Sequence, residues 1–257
     1  MRIRSFGALA WNGFREARRN RVTLVVGAFA VALLVSGMLL TSSTVAALER
    51  VLTDVGLGSM SLSLVLLSVF LSSGLLSREI ERRTIFLVVS KPVSRGRYLL
   101  ARQAGTMITL TALLAAMSLL FWGQLLAYGF PVTQPMLAAV AGLWLELLVI
   151  TSLGLCMSSF AGQLTSGVVT FAVYLAGHLS TDLYRLASRS DSGSARALGK
   201  AAYYLLPNLE KLNFRGQATY GVAVEAGTLL EGAAYAAGYA AVLLALGVIV
   251  FRRRDFK

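Results

Sequence analysis

The chain alternates between long apolar runs and shorter polar segments. Runs of about 18 or more apolar residues predict transmembrane helices. Six such runs lie at about 22–44, 57–77, 103–129, 136–159, 164–182 and 229–251. The pattern predicts an all-α polytopic membrane protein with six transmembrane helices in one domain, 22–257.

Residues 1–21 follow a different pattern. Ile3, Phe6, Ala10, Phe14 and Ala17 recur at spacings of three and four, while the arginines fall largely elsewhere around a helix. An apolar face beside a basic face is typical of a helix that lies in the headgroup layer of a membrane. We therefore predict an amphipathic interfacial helix at 1–21, the alternative being a poorly ordered basic tail.

Composition supports a membrane location. The 257 residues are 56% hydrophobic and 14% charged, whereas soluble domains carry about 25% charged residues. In a soluble protein, a net charge of +12 would indicate nucleic-acid binding. Here, attraction to anionic lipid headgroups and the basic residues that set membrane topology explain the charge better. No nucleic-acid partner is therefore expected. The single cysteine, Cys156, excludes an intrachain disulfide and a cysteine-based metal site.

The basic residues predict the orientation, because Lys and Arg concentrate in cytoplasmic loops. Six lie in 1–21, seven in 78–102 and four in the C-terminal tail. With six spans, these segments share one side, so both termini and 78–102 are expected in the cytoplasm. The loop 183–228 also carries six basic residues, but long loops cross the membrane with less regard to charge.

That long loop is expected to fold. Its segment SARALGKAAYYLL (194–206) predicts a short helix that ends before Pro207. We expect a helical cap pressed on the outer membrane surface, with Tyr203 and Tyr204 at interface depth; the alternative, a disordered linker, fits its apolar content poorly. Three polar residues after the helix are candidates for an outer surface that meets a substrate or an extracytoplasmic partner: Asn208, Glu210 and Asn213.

Few residues in the spans offer chemistry. Glu146 lies near the middle of the fourth run, where an acidic group costs on the order of 3 kcal/mol. Two interpretations stay open: a substrate or conformational-coupling site, or a protonated Glu hydrogen-bonded between helices. His178, the only histidine, is interpreted as an ordinary residue that faces the interface. We expect no metal site.

No phosphate-binding loop is present in the sequence. The nearest segment, SARALGKA (194–201), lacks the first glycine at the required spacing and the final Ser or Thr. ATP and Mg²⁺ are therefore expected on another chain, and no cofactor is expected in this one.

The segment 78–102 places the apolar run IFLVV between two basic clusters. Glu79 can pair with Arg82 one helical turn further on, Lys91-Pro92 ends that helix, and Ser94 can cap the next one. The pattern predicts a cytoplasmic helix, a break and a second helix over 78–97, which suits the docking of a partner. The alternative, from composition alone, is an ordinary basic loop.

This segment resembles the cytoplasmic segment after the second span of ABC type-2 exporter permeases, which commonly reads E-x-E-x-G-T, a hydrophobic stretch, and P-x-S/G-R-G. The matching residues here are Glu79, Glu81, Arg82, Thr84, the IFLVV run, Pro92, Ser94, Arg95, Gly96 and Leu99-Leu100. Arg83 stands where many members have glycine. The similarity extends over the whole chain and is nearest the branch that includes the permease of the nitrous-oxide-reductase maturation transporter.

The resemblance implies the membrane half of an ATP-driven exporter in the bacterial inner membrane, with no enzyme activity of its own. Two copies of a separate ATPase would dock on 78–97, the coupling element, and a second permease copy would complete a homodimer in the lipid bilayer. The docking residues would be Glu79, Glu81, Arg82, Thr84, Lys91, Pro92 and Arg95. Two other functions stay open: a membrane-embedded lipid-modifying enzyme that uses Glu146 or His178, and a mechanotransmission or assembly subunit that binds an ATPase without transport.

Overall fold

The computed structural model describes residues 27–31, 33, 35, 45–81, 95–189 and 193–253, which form helices joined by short turns, with no strand among them. The helices are α1 (Val45–Glu81), α2 (Arg95–Ala127), α3 (Gln134–Ser158), α4 (Gln163–Ser188), α5 (Gly193–Leu205), α6 (Arg215–Tyr220) and α7 (Ala226–Arg253); a 3-10 turn covers Leu209–Leu212. The predicted interfacial helix at 1–21 lies outside this part of the chain.

In the described part of the chain, four helices are long and apolar enough to cross a membrane. Their membrane-length windows are Ala47–Gly74, Gly96–Ala127, Gln134–Ser158 and Ala226–Phe251. These windows overlap the predicted second, third, fourth and sixth spans. Helix α4 covers the predicted fifth span and continues to Ser188. Residues 22–44 are described at only a few positions. An all-helical, multi-pass architecture is confirmed, and the count of six spans stays a prediction.

Helix α1 begins well before the predicted second span. Residues 45–56, between the predicted first and second spans, form the first turns of this 37-residue helix. Leu52 is buried on one face, and Gly56 lets the ring of Phe121 from α2 lie against the backbone. Arg50 and Asp54 are exposed on the other face. The charges that interrupt the apolar run here therefore occupy one side of an amphipathic helix.

Helix α3 lies at the centre of the bundle, where it packs against α1, α2, α4 and α7. Most of its residues are buried. Its sequence, QPMLAAVAGLWLELLVITSLGLCMS, is apolar on nearly every side, which is typical of a helix enclosed by others. Pro135 lies in its first turn, where a missing backbone N–H costs no helical hydrogen bond.

Consecutive long helices run in opposite directions, so their termini gather at two ends of the bundle. The capped end holds the start of α1, the end of α2, the start of α3 and residues 207–225; there the guanidinium carbon of Arg50 lies 5.8 Å from the ring centre of Tyr220. The opposite end holds the end of α1, the start of α2 and the turn between α3 and α4. There Gly154 of α3 lies directly against Ser72 of α1.

Candidate functional site

The segment after α5 folds into the bundle. Leu209, Leu212 and Phe214 are at most 3% exposed and belong to the apolar core. Residues 207–218, which we call the inserted segment, pack against α3, α4 and α7 through the 3-10 turn. The prediction of a cap resting on the membrane surface is therefore wrong for this part of the loop.

Helix α5 lies outside the core and packs on the end of α4. The rings of Tyr184 and Tyr203 are 4.9 Å apart between centroids, and Tyr204 is exposed. The helix ends at Leu205, as the Pro207 signal predicted. The placement of Tyr203 and Tyr204 at the depth of the membrane interface stays a prediction.

Glycines on three helices make room for the inserted segment. A Cβ atom at Gly142 of α3 would overlap the carbonyl oxygen of Leu212. One at Gly177 of α4 would come within 2.6 Å of the carbonyl oxygen of Pro207, and one at Gly232 of α7 would lie 3.3 Å from the Leu212 side chain. The backbone of the segment approaches each helix closely because these positions carry no side chain.

A charged cluster joins the inserted segment to α3 and α4. His178 Nε2 lies 2.9 Å from Glu146 Oε1, and His178 Nδ1 lies 3.5 Å from Glu210 Oε2. The side chains of Glu146 and His178 are 3% and 15% exposed, whereas that of Glu210 is 51% exposed. One imidazole therefore bridges a buried carboxylate of the central helix and a half-exposed one on the inserted segment.

Asn213 and Arg215 extend this cluster. Asn213 Nδ2 donates to Glu210 Oε2 over 3.2 Å, and Arg215 Nε donates to Asn213 Oδ1 over 2.9 Å. Glu146, Asn213 and Arg215 line one small cavity. If His178 is an imidazolium and both carboxylates are ionised, the two positive and two negative charges balance. Balance matters here because an uncompensated buried charge is costly.

The arrangement around His178 requires an extra proton. A neutral imidazole has one N–H and one lone pair, so it can donate to only one of the two carboxylates that flank it. The second contact is a hydrogen bond only if the ring is doubly protonated or if a carboxyl group carries a proton. The Glu146–His178 contact joins α3 to α4, and both sequence interpretations of Glu146 stay predictions.

Asn208 fixes the start of the inserted segment. Its backbone N–H donates to the Tyr235 hydroxyl over 2.7 Å, and its Nδ2 donates to Thr181 Oγ1 over 3.2 Å. The side chain is buried. Of the three residues predicted to form an outer surface, Asn208 thus contributes to packing, Glu210 is exposed and Asn213 is half-buried.

Among the described residues, the cavity that borders the cluster is small. The cavity beside Glu146 has a volume of about 10 Å³, which is room for about one water molecule. The Glu146–His178 pair has the functional groups of an acid–base pair. The alternative of a lipid-modifying enzyme that uses this pair stays a prediction.

A larger cavity of about 610 Å³ lies towards the opposite end, between α1 and α4. Its wall includes the exposed apolar side chains of Phe70, Leu164 and Val168. None of the described residues that line it is charged. It is an apolar groove separate from the charged cluster.

The predicted docking residues fall at the opposite end. Glu79 and Glu81 belong to the final turns of α1, and Arg95 begins α2. The others lie outside the described ranges: Arg82, Thr84, Lys91 and Pro92. The two longest helices therefore bracket the coupling element, and its residue contacts stay a prediction.

Sequence comparison identifies the family. The model of the ABC-2 family transporter proteins matches residues 7–256. The chain belongs to this family. It is a multi-pass permease component of an ABC transporter. A comparison with curated proteins gives no match. The predicted resemblance to ABC type-2 permeases is confirmed, while the nitrous-oxide-reductase maturation branch stays a prediction.

Sequence reasoning missed the role of His178. Its interpretation as an interface-facing residue is wrong, because the ring points inward to Glu146. A signal was present in the spacing: Ser166, Thr170 and Tyr174 precede it at intervals of four residues and are all buried. Residues four apart share a helix face. The polar side of α4 therefore faces protein, and His178 lies on that side.

Proposed function

We propose that this permease is the membrane half of an ATP-driven exporter, in which two copies of a separate ATPase dock on residues 78–97 and two permease copies form a homodimer. The supporting observation is the length of α1 and α2, which have 37 and 33 residues. Helices of these lengths extend about 50 to 55 Å, whereas the hydrocarbon core is about 30 Å thick. In this proposal the coupling element lies beyond the hydrocarbon core.

The helices also supply a route for the motion. Beyond its membrane-length window, α1 continues from Gly74 to Glu81, and both α1 and α2 pack on the central helix α3. A displacement of residues 78–97 by ATPase closure would therefore tilt two helices that share α3 as a neighbour. In this proposal ATP and Mg²⁺ bind only to the ATPase.

We place the opposite end in the cytoplasm and the capped end outside, in the bacterial inner membrane. The basic residues of 1–21, 78–102 and the C-terminal tail support this orientation by the positive-inside rule. Glu210 and Asn213 would then face the extracytoplasmic side, where they are available to a substrate or partner protein.

The docking proposal is tested by co-purification of the tagged chain with an ABC ATPase of the same genome. Glu79→Ala and Arg82→Ala should each reduce the ATPase recovered and the stimulated ATP turnover. Matched controls at the capped end are Glu225→Ala and Arg185→Ala, which replace exposed residues of the same charge and should leave both readouts unchanged. Unchanged recovery and turnover in both docking variants would contradict the proposal.

A mechanotransmission subunit would dock an ATPase in the same way. The two functions differ in what crosses the membrane, so the complex is reconstituted in vesicles loaded with candidate substrates. ATP-dependent loss of a substrate from the lumen of right-side-out vesicles supports export. ATP turnover with no movement of any candidate favours mechanotransmission.

A further inference from the structure

Among the described residues, His178 is the side chain that contacts a carboxylate on the central helix with one nitrogen and a carboxylate on the inserted segment with the other. We propose that His178 is a proton-operated latch. With both nitrogens protonated it ties the inserted segment to α3, and loss of one proton loosens the segment at Glu210. This inference rests on the proposed function only for the location of the latch on the extracytoplasmic side.

The two contacts of the ring are unequal, which decides where the proton is lost. Glu146 is nearly fully buried, and the 2.9 Å contact to Nε2 is the shorter one. A buried carboxylate without a donor is costly, so Nε2 keeps its proton. Glu210 is half exposed and lies 3.5 Å from Nδ1, so water can replace that contact. Deprotonation at Nδ1 turns a lone pair towards the Glu210 carboxylate, and the attraction becomes repulsion.

The charged and titratable groups around the ring come from four elements. Glu146 belongs to α3, Glu210 to the 3-10 turn and Arg215 to α6, while the Tyr174 ring of α4 meets the imidazole edge-on with centroids 4.9 Å apart. Two carboxylates favour the imidazolium and one guanidinium opposes it.

The remaining neighbours lie away from the ring or carry no charge. Lys211 of the same turn lies instead over the Tyr235 ring, at 5.3 Å. The part of α1 that borders the small cavity contributes Leu57 and Ser61. The tyrosines stay neutral below about pH 10. The charge around the latch is thus set by His178, its two carboxylates and Arg215.

Loosening is expected to be local. Leu209 and Leu212 are buried in the core, and Asn208 is bonded to Tyr235 and Thr181. These contacts do not depend on His178. Release therefore affects the exposed side of this segment, at Glu210 and Asn213, which is held by the Glu210–Asn213–Arg215 hydrogen bonds and by the imidazole.

The test is hydrogen–deuterium exchange of the full chain in lipid nanodiscs, followed on peptides that cover 207–218. Wild type and His178→Gln are compared at the same pH, so the intrinsic exchange rate cancels. Since charge-assisted hydrogen bonds are the strong ones, wild type should exchange about tenfold more slowly than the variant near pH 6. The ratio should fall to about twofold or less near pH 9, because histidine then carries a single proton.

Two further variants keep the test decisive. Glu210→Gln removes the charge that the latch recognises and alters a half-exposed residue, so it is expected to fold and to flatten the pH dependence. Asp182→Asn removes an exposed carboxylate one turn beyond His178 and should behave as wild type.

A wild-type to His178→Gln ratio that stays constant between about pH 6 and pH 9 would overturn the latch, as would a Glu210→Gln protein that keeps the wild-type pH dependence. If His178→Gln does not fold, Glu210→Gln alone decides between these outcomes. The measurement needs no ATPase. Failure of the latch therefore leaves the docking proposal intact, and failure of docking leaves the latch intact.

Discussion

The two ends of the bundle are held by different kinds of polar contact. At the capped end, side chains bond across elements that are far apart in sequence. His178 contacts Glu146 and Glu210, and the Gln134 side chain both donates to the carbonyl and accepts from the N–H of Val224. Each of these bonds fixes one element relative to another.

At the opposite end, most buried hydroxyls bond to their own helix. Ser72 donates to the carbonyl of Ser68, and Thr106 donates to that of Arg102. Gln103 is different, since its Nε2 donates across helices to Thr151 and Ser152. A hydroxyl that bonds back to the preceding turn satisfies itself without tying its helix to a neighbour.

The packing follows the same division. At the capped end Gly142, Gly177 and Gly232 accept a backbone of irregular shape, which fits in one position. At the opposite end Gly154 meets Ser72 and Gly167 meets Ser73, so small side chains form a smooth contact between α1 and its neighbours. We infer that the opposite end can shift while the capped end stays in place.

The largest effect is expected at the glycine contact of the capped end. Gly142→Ala should lower the free energy of unfolding by about 2 kcal/mol, because the new methyl group overlaps the backbone of Leu212 and overpacking costs this much. SDS-induced unfolding in mixed micelles measures the change. The control Gly238→Ala, with open space at its Cβ, should be neutral or stabilising by up to about 1 kcal/mol. Equal losses in both variants would contradict the packing account.

The second effect concerns the start of the inserted segment. Tyr235→Phe leaves the backbone N–H of Asn208 without its acceptor, and an unmade buried hydrogen bond costs about 1.5 kcal/mol. Unfolding of this variant is compared with that of Tyr204→Phe, which changes an exposed ring and should be neutral. A neutral Tyr235→Phe would show that this bond does not hold the segment.

A smaller effect is expected from the cross-helix bond of the opposite end. Gln103→Leu removes both donations to α3, and interhelical hydrogen bonds in membrane proteins average about 0.6 kcal/mol. The same unfolding assay measures it. A loss larger than that of Tyr235→Phe would mean that the opposite end is tied as firmly as the capped end.

The smallest effect is expected at Ser72. Ser72→Ala removes a hydroxyl that bonds within α1, keeps the small side chain that Gly154 requires, and should change the free energy of unfolding by no more than about 0.5 kcal/mol. A substantially larger loss would indicate that this hydroxyl joins two helices, which would contradict the difference between the two ends.

Much of the helical layout could be predicted because apolar runs of membrane length have few alternatives. The predicted fourth span, 136–159, differs from Gln134–Ser158 by only a few residues. The start of α1 could not be predicted in this way, because Glu49, Arg50 and Asp54 interrupt the apolar run. An amphipathic helix with charges on one face and Leu52 on the other has no long apolar run.

The sequence predicted which residues belong to the candidate site better than it predicted their geometry. Glu146 was found because an acidic residue in an apolar run is costly, and Glu210 and Asn213 because they are polar residues that follow the predicted helix at 194–206. Their convergence through His178 depends on the rotation of α4 and on a loop that enters the core. Both are set by tertiary packing at Gly142 and Gly177, which a single sequence does not specify.

The most direct test of this division is a pair of distances measured by pulsed electron paramagnetic resonance in the complex with its ATPase, with and without ATP. In a Cys156→Ser background, one pair of labels replaces Phe70 and Leu164 across the groove near the opposite end, and the other replaces Leu137 and Val222 at the capped end, all four being exposed. We predict that ATP changes the first distance and leaves the second unchanged below neutral pH, where the latch is closed. Equal changes at both ends, or a change confined to the capped end, would contradict the account.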